Sequence, residues 1–527
     1  MDITPILAEY NVDEIDYASH SYNDFRDEGQ DGELREKMTF NKDIEKAIRS
    51  IIKPQYIKDL RISKLNKNQL IFKSLFFNFS SVKDYYAAKI KRALVKETPQ
   101  GNKTAFTEYI RNNFKKNNLS PKEILFFEHH LCHATPSYFL SPFNGNKAIA
   151  LTIDGQGDGY FSKLYLFNGP NEFQLIGQSD ATLIGDGDRF ASIGRIYNYF
   201  TQAMGLHPNS DEGKVEALAA FGTADQNLLR MLKDTTVIDK EKLSINFDFK
   251  KLSEFYDLDF LKEQRKKIGD ENFCAVVQDY LQDTIIEYLD FVYQKFPINN
   301  LCLSGGVAAN IIMSLNIYER TNFKNIYVLP PMADDGLAIG SAILTAIKYD
   351  QDLRWLKNHS MPYFGDCYSR EEVKSALDIF PDIYYEDLGD DWPKHAAKSV
   401  AMGKICALFH GKMEFGPRAL GNRSIIGNPM IENTREIINS KVKKRPSYQP
   451  FCPSILEEER ERLFNDSFSH KHMAIAFRMK KEYIKDLPCA VHIDGTSRPQ
   501  FVTRDDNKNY FEYLKALKKI TGYGVSL

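Results

Sequence analysis

The stretch from residue 124 to residue 167 constrains the fold of this 527-residue chain more than any other. Residues 124–127 are an apolar run that ends at a histidine cluster, and residues 147–153 are a second apolar run with β-branched side chains. An acidic, glycine-rich turn at 154–159 then leads into the alternating residues 160–167. These patterns predict a buried strand followed by a β-hairpin. We therefore expect an α/β fold in which ligands gather at the strand ends.

Two histidines in this stretch have the spacing of metal ligands. His129 and His133 are four residues apart, so on a helix both rings leave the same face and could share a divalent metal ion, whereas His130 points elsewhere. The alternative is that these are ordinary polar residues at the start of a helix. A metal site would also need a third ligand from far along the chain.

The glycine-rich turn allows two interpretations. Its glycines let backbone N–H groups approach a phosphate, while Asp154 or Asp158 could hold a cation or a water molecule. A tight hairpin that needs glycine for positive φ angles would have the same composition.

Three later segments bring polar groups to the start of a helix. The turn 304–306, Ser-Gly-Gly, offers backbone amides to a phosphate or ribose, unless it is only a close packing turn. Asp334 follows a strand and a Pro-Pro stop, and it is either the third metal ligand or a helix cap. Glu212 and Lys214 precede an apolar helix where a nucleotide could meet them, although a solvated helix start is the alternative.

The composition excludes several classes of protein. With 69 Lys and Arg against 71 Asp and Glu, the formal net charge is -2, so nothing indicates a nucleic-acid partner or an acidic membrane surface. The seven cysteines are scattered without a C-x-x-C pair, which favours reduced thiols in a cytoplasmic protein. No apolar run is long enough to span a membrane.

The C-terminal part contains a candidate anion site. A composition break at 353–360 predicts a linker, after which a second α/β unit begins at about residue 361. Arg418 and Arg423 lie among glycines and small residues, and guanidinium groups suit carboxylate, carbamate or phosphate oxygens. The basic group 441–445 could join them, although a charge run is usually a solvated face. Upstream, residues 82–95 and 105–114 have the best helical patterns of the N-terminal region.

Taken in order, these motifs resemble the carbamoyltransferase family of NodU and TobZ. The resemblance spans residues 125–510. It rests on the motifs E-H-H-L-C-H-A at Glu128, I-D-G-Q-G-D-G at Ile153, E-G-K-V at Glu212, L-S-G-G-V-A-A-N at Leu303, P-P-M-A-D-D-G-L-A-I-G at Pro330, M-E-F-G-P-R-A-L-G-N-R-S-I at Met413 and H-I-D-G-T-S-R at His492.

The resemblance implies an actin/hexokinase-like domain with mixed sheets and flanking helices over residues 1–352, a linker at 353–360, and a YrdC-like α/β domain over 361–527. In such proteins the second domain makes carbamoyl adenylate from carbamoyl phosphate and ATP. The first domain then transfers the carbamoyl group to an acceptor.

The resemblance also implies roles for individual residues. His129, His133 and Asp334 look like ligands of a divalent metal, most often iron in related proteins, and His130 and Asp154 would line the carbamoyl adenylate site. The implied contacts to nucleotide and carbamoyl phosphate, with Mg²⁺ accompanying ATP, are Gly155, Gly157, Lys214, Gly305, Gly306, Asn310, Lys412, Arg418, Arg423, Lys441 and Arg498.

The sequence departs from the family pattern at both ends and at two positions. Family members usually begin with a strand hairpin carrying a His-Asp pair and end with an N-T-S-F-N motif, and we expect this chain to lack both. Gln449 stands where arginine is common, and Glu216 where methionine is. The implied function is carbamoylation of a hydroxyl on a small natural product. The alternative is a catalytically incomplete nucleotide-binding relative that acts as a partner subunit.

The acceptor is not encoded in any motif, and its specificity would rest on the loops 37–113 and 223–270. A homodimer is one assembly that such a protein could form.

Overall fold

A computed structural model describes residues Tyr17–His20, residues 107, 108, 111, 112 and 115, and residues 120–527 except 171, 182, 185–188 and 359–360. The chain forms two compact units, Met1–Phe126 and Phe127–Leu527. Every site residue predicted from the sequence lies in the second unit.

The described strands are numbered in chain order. They are β1 Tyr17–His20, β2 Glu123–Phe126, β3 Ala148–Gly157, β4 Tyr160–Gly169, β5 Glu172–Asp180, β6 Leu183–Ile184, β7 Arg189–Phe190, β8 Thr236–Asp239, β9 Ser244–Phe247, β10 Asn300–Ser304, β11 Asn325–Val328, β12 Cys406–Phe409, β13 Arg423–Ile426, β14 Ser454–Leu456, β15 Phe477–Arg478, β16 Thr496–Ser497, β17 Gln500–Val502 and β18 Val525–Ser526.

The α-helices of residues 120–527 are numbered in the same way. They are α1 His129–Phe139, α2 Ile193–Ala203, α3 Glu212–Ala219, α4 Gln226–Lys233, α5 Phe249–Leu252, α6 Leu258–Ile268, α7 Asp270–Lys295, α8 Ile311–Arg320, α9 Leu337–Lys348, α10 Arg370–Asp378, α11 Trp392–Ala401, α12 Thr434–Ile437, α13 Arg460–Leu463, α14 Lys481–Ile484 and α15 Lys508–Thr521. A π-helical turn, Ile438–Lys443, follows α12.

In the first unit, β1 and β2 pair in parallel, with Tyr17 opposite Glu123. A strand is therefore confirmed where the apolar run 124–127 predicts one, although it begins one residue earlier and only Leu125 is fully buried. Residues 107, 108, 111 and 112 are helical, as predicted for 105–114. The helix predicted at 82–95 lies outside the described residues.

The second unit is built on a five-stranded mixed sheet with the order β11-β10-β3-β4-β5. Strands β3, β4 and β5 are consecutive and antiparallel, whereas β10 runs parallel to β3 and β11 parallel to β10. The predicted hairpin is confirmed as β3 and β4, and the mixed sheet with flanking helices confirms the α/β class.

Strand β3 is covered on both faces. Ile149, Leu151 and Ile153 face the main apolar core with α2, α7 and α8, while Ala148 and Ala150 face a second core with α1 and α9. A strand buried on both sides needs apolar residues at successive positions, which explains the uninterrupted run in the sequence. The same sandwich fixes the end of β3 between helices that carry polar groups.

The C-terminal part packs directly on α8. Phe477 and Phe501 belong to the main core together with Tyr318, and Arg478 makes a two-pronged ion pair with Glu319 at 2.7 and 2.9 Å. The C-terminal part contains several small sheets: β12 paired with β13, β17-β14-β18, and β15 paired with β16. The predicted boundary at 353–360 stays a prediction. Among the described helices, none has the length and apolar content needed to cross a bilayer.

Candidate active site

Four side chains from three separate segments converge at the end of β3. His129 and His133 project from α1, Asp154 from β3, and Asp334 from the turn that follows β11. The Nε2 atoms of His129 and His133 lie 3.3 and 3.2 Å from Oδ2 of Asp154. The same two atoms lie 3.8 and 3.5 Å from Oδ1 of Asp334. The structure thus brings the three predicted ligands together and adds Asp154 to them.

Local structure places each member of this cluster. The side chain of Glu128 caps α1 by accepting a hydrogen bond from the backbone N–H of Leu131 at 2.6 Å, so the helix begins at His129. Asp158 accepts from the backbone N–H of His129 at 2.8 Å. Asp154 continues the face of β3 that carries Ala148 and Ala150 and packs against α1, so strand alternation directs its side chain toward that helix.

Glycine is required at position 157. A Cβ atom there would lie 2.1 Å from Cδ2 of His129, which is far inside van der Waals contact. The ring of His129 therefore occupies the space that any larger residue at position 157 would fill. The absence of a side chain at Gly157 leaves room for the ring of His129, which is a candidate metal ligand.

The electrostatics of the cluster are dominated by mutual contacts. Burial lowers the pKa of His133, but its bonds to Asp154 and Asp334 outweigh burial and raise that pKa to about 9. Burial raises the pKa of Asp154, and its bonds to both histidines outweigh burial and hold it well below its usual range. A proton therefore sits among the carboxylates at neutral pH, where a metal cation would otherwise sit.

The donor set fits a divalent first-row metal ion. One donor atom from each of the four residues lies within 4.8 Å of the other three. Ligands on opposite sides of one ion are about 4 Å apart, because bonds to His nitrogen and carboxylate oxygen are near 2 Å. The Nδ1 atoms of both histidines are buried and have no hydrogen-bond partner among the described residues, so their polar contacts are made through Nε2.

His130 lies apart from this cluster. Its Nδ1 atom is 2.8 Å from Oγ1 of Thr152, its Nε2 atom is 3.1 Å from the carbonyl oxygen of Tyr160, and the residue is fully buried. Burial lowers its pKa to about 4, so the ring is neutral and Nε2 carries the proton that it donates to the carbonyl. The structure thus ties His130 to β3 and β4.

The predicted nucleotide seat lies next to the cluster. Gly305 has a φ of +89° and passes so close to β3 that a Cβ there would lie 2.2 Å from the carbonyl oxygen of Ile153. A Cβ at Gly306 would lie 3.2 Å from Oδ1 of Asp154. The glycine turn therefore packs closely against β3 and forms one wall beside Asp154, as the packing interpretation predicts, while its role in binding a ligand stays a prediction.

Asn310 and Lys214 have protein partners. The Oδ1 atom of Asn310 caps α8 by accepting from the N–H of Met313 at 2.8 Å, and its amide exchanges two hydrogen bonds with Gln278. The Nζ atom of Lys214 lies 2.7 Å from Oδ1 of Asp211. Neither side chain is held ready for a nucleotide in this arrangement.

Two arginines from the C-terminal part gather near one buried acid. Arg498 is 3% exposed and donates to Oγ1 of Thr496 at 3.4 Å, while Nε of Arg418 is buried without a hydrogen-bond partner among the described residues. Burial raises the pKa of Glu216, and the positive charges of both arginines oppose that rise. Arg418 and Arg498 therefore lie within electrostatic reach of one carboxylate.

Arg423 has a different environment. Its Nη1 donates to the carbonyl oxygens of His410, Gly411 and Asn422, its Nη2 donates to that of Asp366, and its guanidinium lies 3.8 Å from the ring centre of Phe409. These contacts hold Nη1 and Nη2 on backbone carbonyl groups, so the side chain is fixed against its own loop and the segment of Asp366. The side chains of Lys412 and Lys441 are exposed.

Glu414 shapes the loop that carries Arg418. Its Oε1 atom accepts from the backbone N–H groups of Leu420, Asn422 and Arg423 at 2.8, 2.7 and 3.1 Å. The sequence reasoning missed this residue. The signal was an acidic side chain inside the otherwise basic and glycine-rich motif at Met413.

The loop of Arg418 rests against the loop of Asp334. A Cβ at Gly416 would lie 3.0 Å from the carbonyl oxygen of Pro330 and 3.3 Å from the backbone nitrogen of Pro331. The two prolines precede Asp334 in the same loop. The candidate anion site and the metal cluster are therefore joined by a direct backbone contact.

Comparison with known proteins identifies the family. The family description "Carbamoyltransferase N-terminus" matches residues 10–343, and "Carbamoyltransferase C-terminus" matches residues 397–527. The chain belongs to the carbamoyltransferase family. The two matches identify this carbamoyltransferase as an enzyme, and they confirm the family resemblance described from its motifs.

Relatives of this carbamoyltransferase include both distant and close proteins. An uncharacterized protein of Methanocaldococcus jannaschii is 44% identical over 99% of this chain and 86% of its own length. The 3'-hydroxymethylcephem-O-carbamoyltransferase of Streptomyces clavuligerus is 26% identical over 77% of this chain and 74% of its own. A crystal structure of full-length HypF in a phosphate- and nucleotide-bound form matches 48% of this chain and 42% of that chain, with 14% identity and a TM-score of 0.33.

Proposed function

We propose that this carbamoyltransferase is an ATP-dependent O-carbamoyltransferase that transfers the carbamoyl group of carbamoyl phosphate, through carbamoyl adenylate, to a hydroxyl group of a small natural product. The observation that carries the proposal is the cluster of His129, His133, Asp154 and Asp334 beside the glycine turn at 305–306. A family member from Streptomyces clavuligerus that is named as an O-carbamoyltransferase supports the choice of a hydroxyl acceptor.

The first step belongs to the C-terminal part, which we propose begins after a linker at 353–360. Water releases phosphate from carbamoyl phosphate, and an oxygen of the resulting carbamate attacks the α-phosphorus of ATP, so that pyrophosphate leaves. Both substrates are anions, and Mg²⁺ accompanies ATP. Arg418 and Arg498 have guanidinium donors suited to these oxygens, with Lys412 and Lys441 as exposed further contacts. Arg423 supports this site by holding its loop.

The second step belongs to the cluster. A divalent metal, for which we propose iron, would polarise the carbamoyl oxygen when held by the two histidines and Asp334. Asp154 lies beside both histidines and can receive the proton of the acceptor hydroxyl through Oδ2. The acceptor oxygen then bonds to the carbamoyl carbon while the bond from that carbon to the phosphate oxygen breaks and AMP leaves. His130 keeps β3 in place beneath Asp154 through Thr152.

The proposed substrates are small and soluble, and we place the enzyme in the cytoplasm. The test is incubation of the whole chain with carbamoyl phosphate and α-³²P-labelled ATP, with pyrophosphate and AMP measured separately. Pyrophosphate release that depends on carbamoyl phosphate is the expected result. Bound ATP without pyrophosphate release would overturn the proposal and favour a nucleotide-binding partner subunit instead. Arg418→Gln should lower pyrophosphate release, whereas the control Arg230→Gln, at an exposed position of α4, should not.

A further inference from the structure

Arg195 lies in the first turn of α2, at the glycine-rich turn that follows Asp154. Its backbone N–H donates to Oγ of the capping residue Ser192 at 3.0 Å, and that Oγ donates to the carbonyl oxygen of Gly155 at 2.7 Å. A Cβ at Gly194 would lie 3.0 Å from the carbonyl oxygen of Asp154. The start of α2 is therefore fixed directly on the backbone of residues 154 and 155.

The guanidinium of Arg195 lies over this backbone. A Cβ at Gly155 would lie 3.7 Å from its Nε and 4.0 Å from its Cζ. These are ordinary van der Waals distances, so the guanidinium packs beside the backbone of Gly155. The positive group thus lies beside Asp154 and on the same glycine turn as the metal cluster.

The guanidinium keeps an unused donor. Its Nε atom is buried and has no hydrogen-bond partner among the residues that the structure describes. Buried arginine donors are normally paired, because leaving one unpaired costs free energy. The carboxylates of the cluster already contact the histidines, and Lys214 is paired with Asp211. A cation with a free donor in such a place suits an anionic ligand.

We infer that Arg195 binds a phosphate oxygen of the leaving nucleotide during carbamoyl transfer. This inference rests on the proposed function. When the bond between the carbamoyl carbon and the phosphate oxygen breaks, the electron pair stays on that oxygen and AMP gains negative charge. A guanidinium fixed beside the glycine turn neutralises this charge as it develops. Arg195 is then a phosphate-binding residue of the transfer site, separate from the arginines of the C-terminal part.

The test compares AMP with adenosine, which lacks the phosphate. Isothermal titration of the metal-loaded whole chain gives both affinities for the native protein, Arg195→Gln, Arg195→Lys and the control Arg230→Gln. We expect Arg195→Gln to weaken AMP binding about 10- to 100-fold and to leave adenosine unchanged, as for loss of a hydrogen bond to a charged group. Arg195→Lys keeps the charge and should keep part of the affinity. AMP that binds at a further site in the C-terminal part would add the same signal in all four proteins, so the difference between them still reports on Arg195.

Equal weakening of AMP and adenosine, or no weakening of AMP, would overturn the inference. Circular dichroism establishes that each variant is folded. A second measurement separates this inference from the proposed function: in Arg195→Gln, pyrophosphate from the first turnover should be unchanged while AMP release slows at least tenfold. Absence of pyrophosphate in the native protein would refute the proposed function, and the difference between AMP and adenosine would still decide the role of Arg195.

Discussion

At the scale of single residues, histidines that lie close together in the sequence have different roles. His129 and His133 turn Nε2 toward two carboxylates, whereas His130 between them is neutral and bonded to the sheet. Of the carboxylates, Asp154 is 17% exposed and Asp334 is 72% exposed. Asp334, the proposed metal ligand, is therefore open to solvent, whereas Asp154, the proposed base, is largely shielded from it.

Replacement of the cluster residues should lower metal binding in a defined order. His133→Ala should lose most of the bound iron, because it removes a buried proposed ligand. Asp334→Asn should lose part of it, because this proposed ligand is exposed to solvent, and Asp154→Asn should lose least, because Asp154 is the proposed base. Metal content after anaerobic loading with Fe²⁺ and desalting, measured by inductively coupled plasma mass spectrometry, checks this order. His207→Ala, at an exposed position, is the control. Full metal retention by His133→Ala would contradict the proposed site.

Gly157→Ala should disturb the cluster without touching a ligand. The added methyl group would overlap the ring of His129, and overpacking of this kind costs about 1–3 kcal/mol. We expect a lower melting temperature together with weaker metal binding. Gly213→Ala in α3 is the matched control, because a Cβ there meets no atom within 4 Å and should stabilise the helix by about 0.5–1 kcal/mol. Unchanged metal affinity in Gly157→Ala would show that His129 can move aside at no cost.

At the scale of elements, α3 is connected to the C-terminal part through adjacent residues. His492 donates through Nε2 to the carbonyl oxygen of Ala217 at 2.9 Å, and Glu216 accepts from the backbone N–H of Ile312 at the start of α8 at 2.9 Å. Glu216 therefore lies where α3, α8 and the two arginines meet. The charged form of Glu216 destabilises the folded state, because the cost of burying the charge outweighs the stabilisation by neighbouring groups.

The stability contributed by this carboxyl should depend on pH. Its pKa is raised on folding, so the folded state is disfavoured increasingly as pH rises above the unfolded value of about 4.3. Glu216→Gln should accordingly raise the melting temperature by a few degrees at pH 8, about what 1 kcal/mol of relief produces, and have little effect at pH 4. Melting curves between these pH values check it, with exposed Glu254→Gln as control. A gain at pH 8 no larger than at pH 4 would contradict the assignment.

The elements were predictable from sequence where the signal is local. The hairpin of β3 and β4 follows from apolar patterning, and the histidine pair follows from helical spacing. The place of Asp154 in the cluster was not predictable, because it depends on which face of β3 packs against α1, and contacts across the sheet decide that. Likewise, a basic residue in a glycine-rich loop suggests an anion site, but the carbonyl partners of Arg423 come from segments as distant as Asp366.

At the scale of the whole molecule, the main core of the second unit contains residues from both sides of the predicted linker. Phe477 is fully buried, and its ring centre lies 6.1 Å from that of Tyr318 and 6.0 Å from that of Phe501. A core that is shared in this way should make α7 and β17, which carries Phe501, depend on one another for stability.

Phe477→Ala should therefore destabilise both sides of the predicted linker. Loss of a fully buried aromatic side chain costs about 3–5 kcal/mol. Hydrogen exchange read by mass spectrometry should speed up in α7 and β17 together, while exposed Phe380→Ala should change neither. Faster exchange confined to β17 would show that residues 361–527 unfold as an independent domain.

The contact of Gly416 with the proline pair has a consequence for the metal cluster. Because the backbone of the Arg418 loop bears on the segment that holds Asp334, a ligand that shifts one loop must shift or strain the other. Under the proposed function, a substrate that moved the Arg418 loop would therefore also move a proposed ligand of the metal.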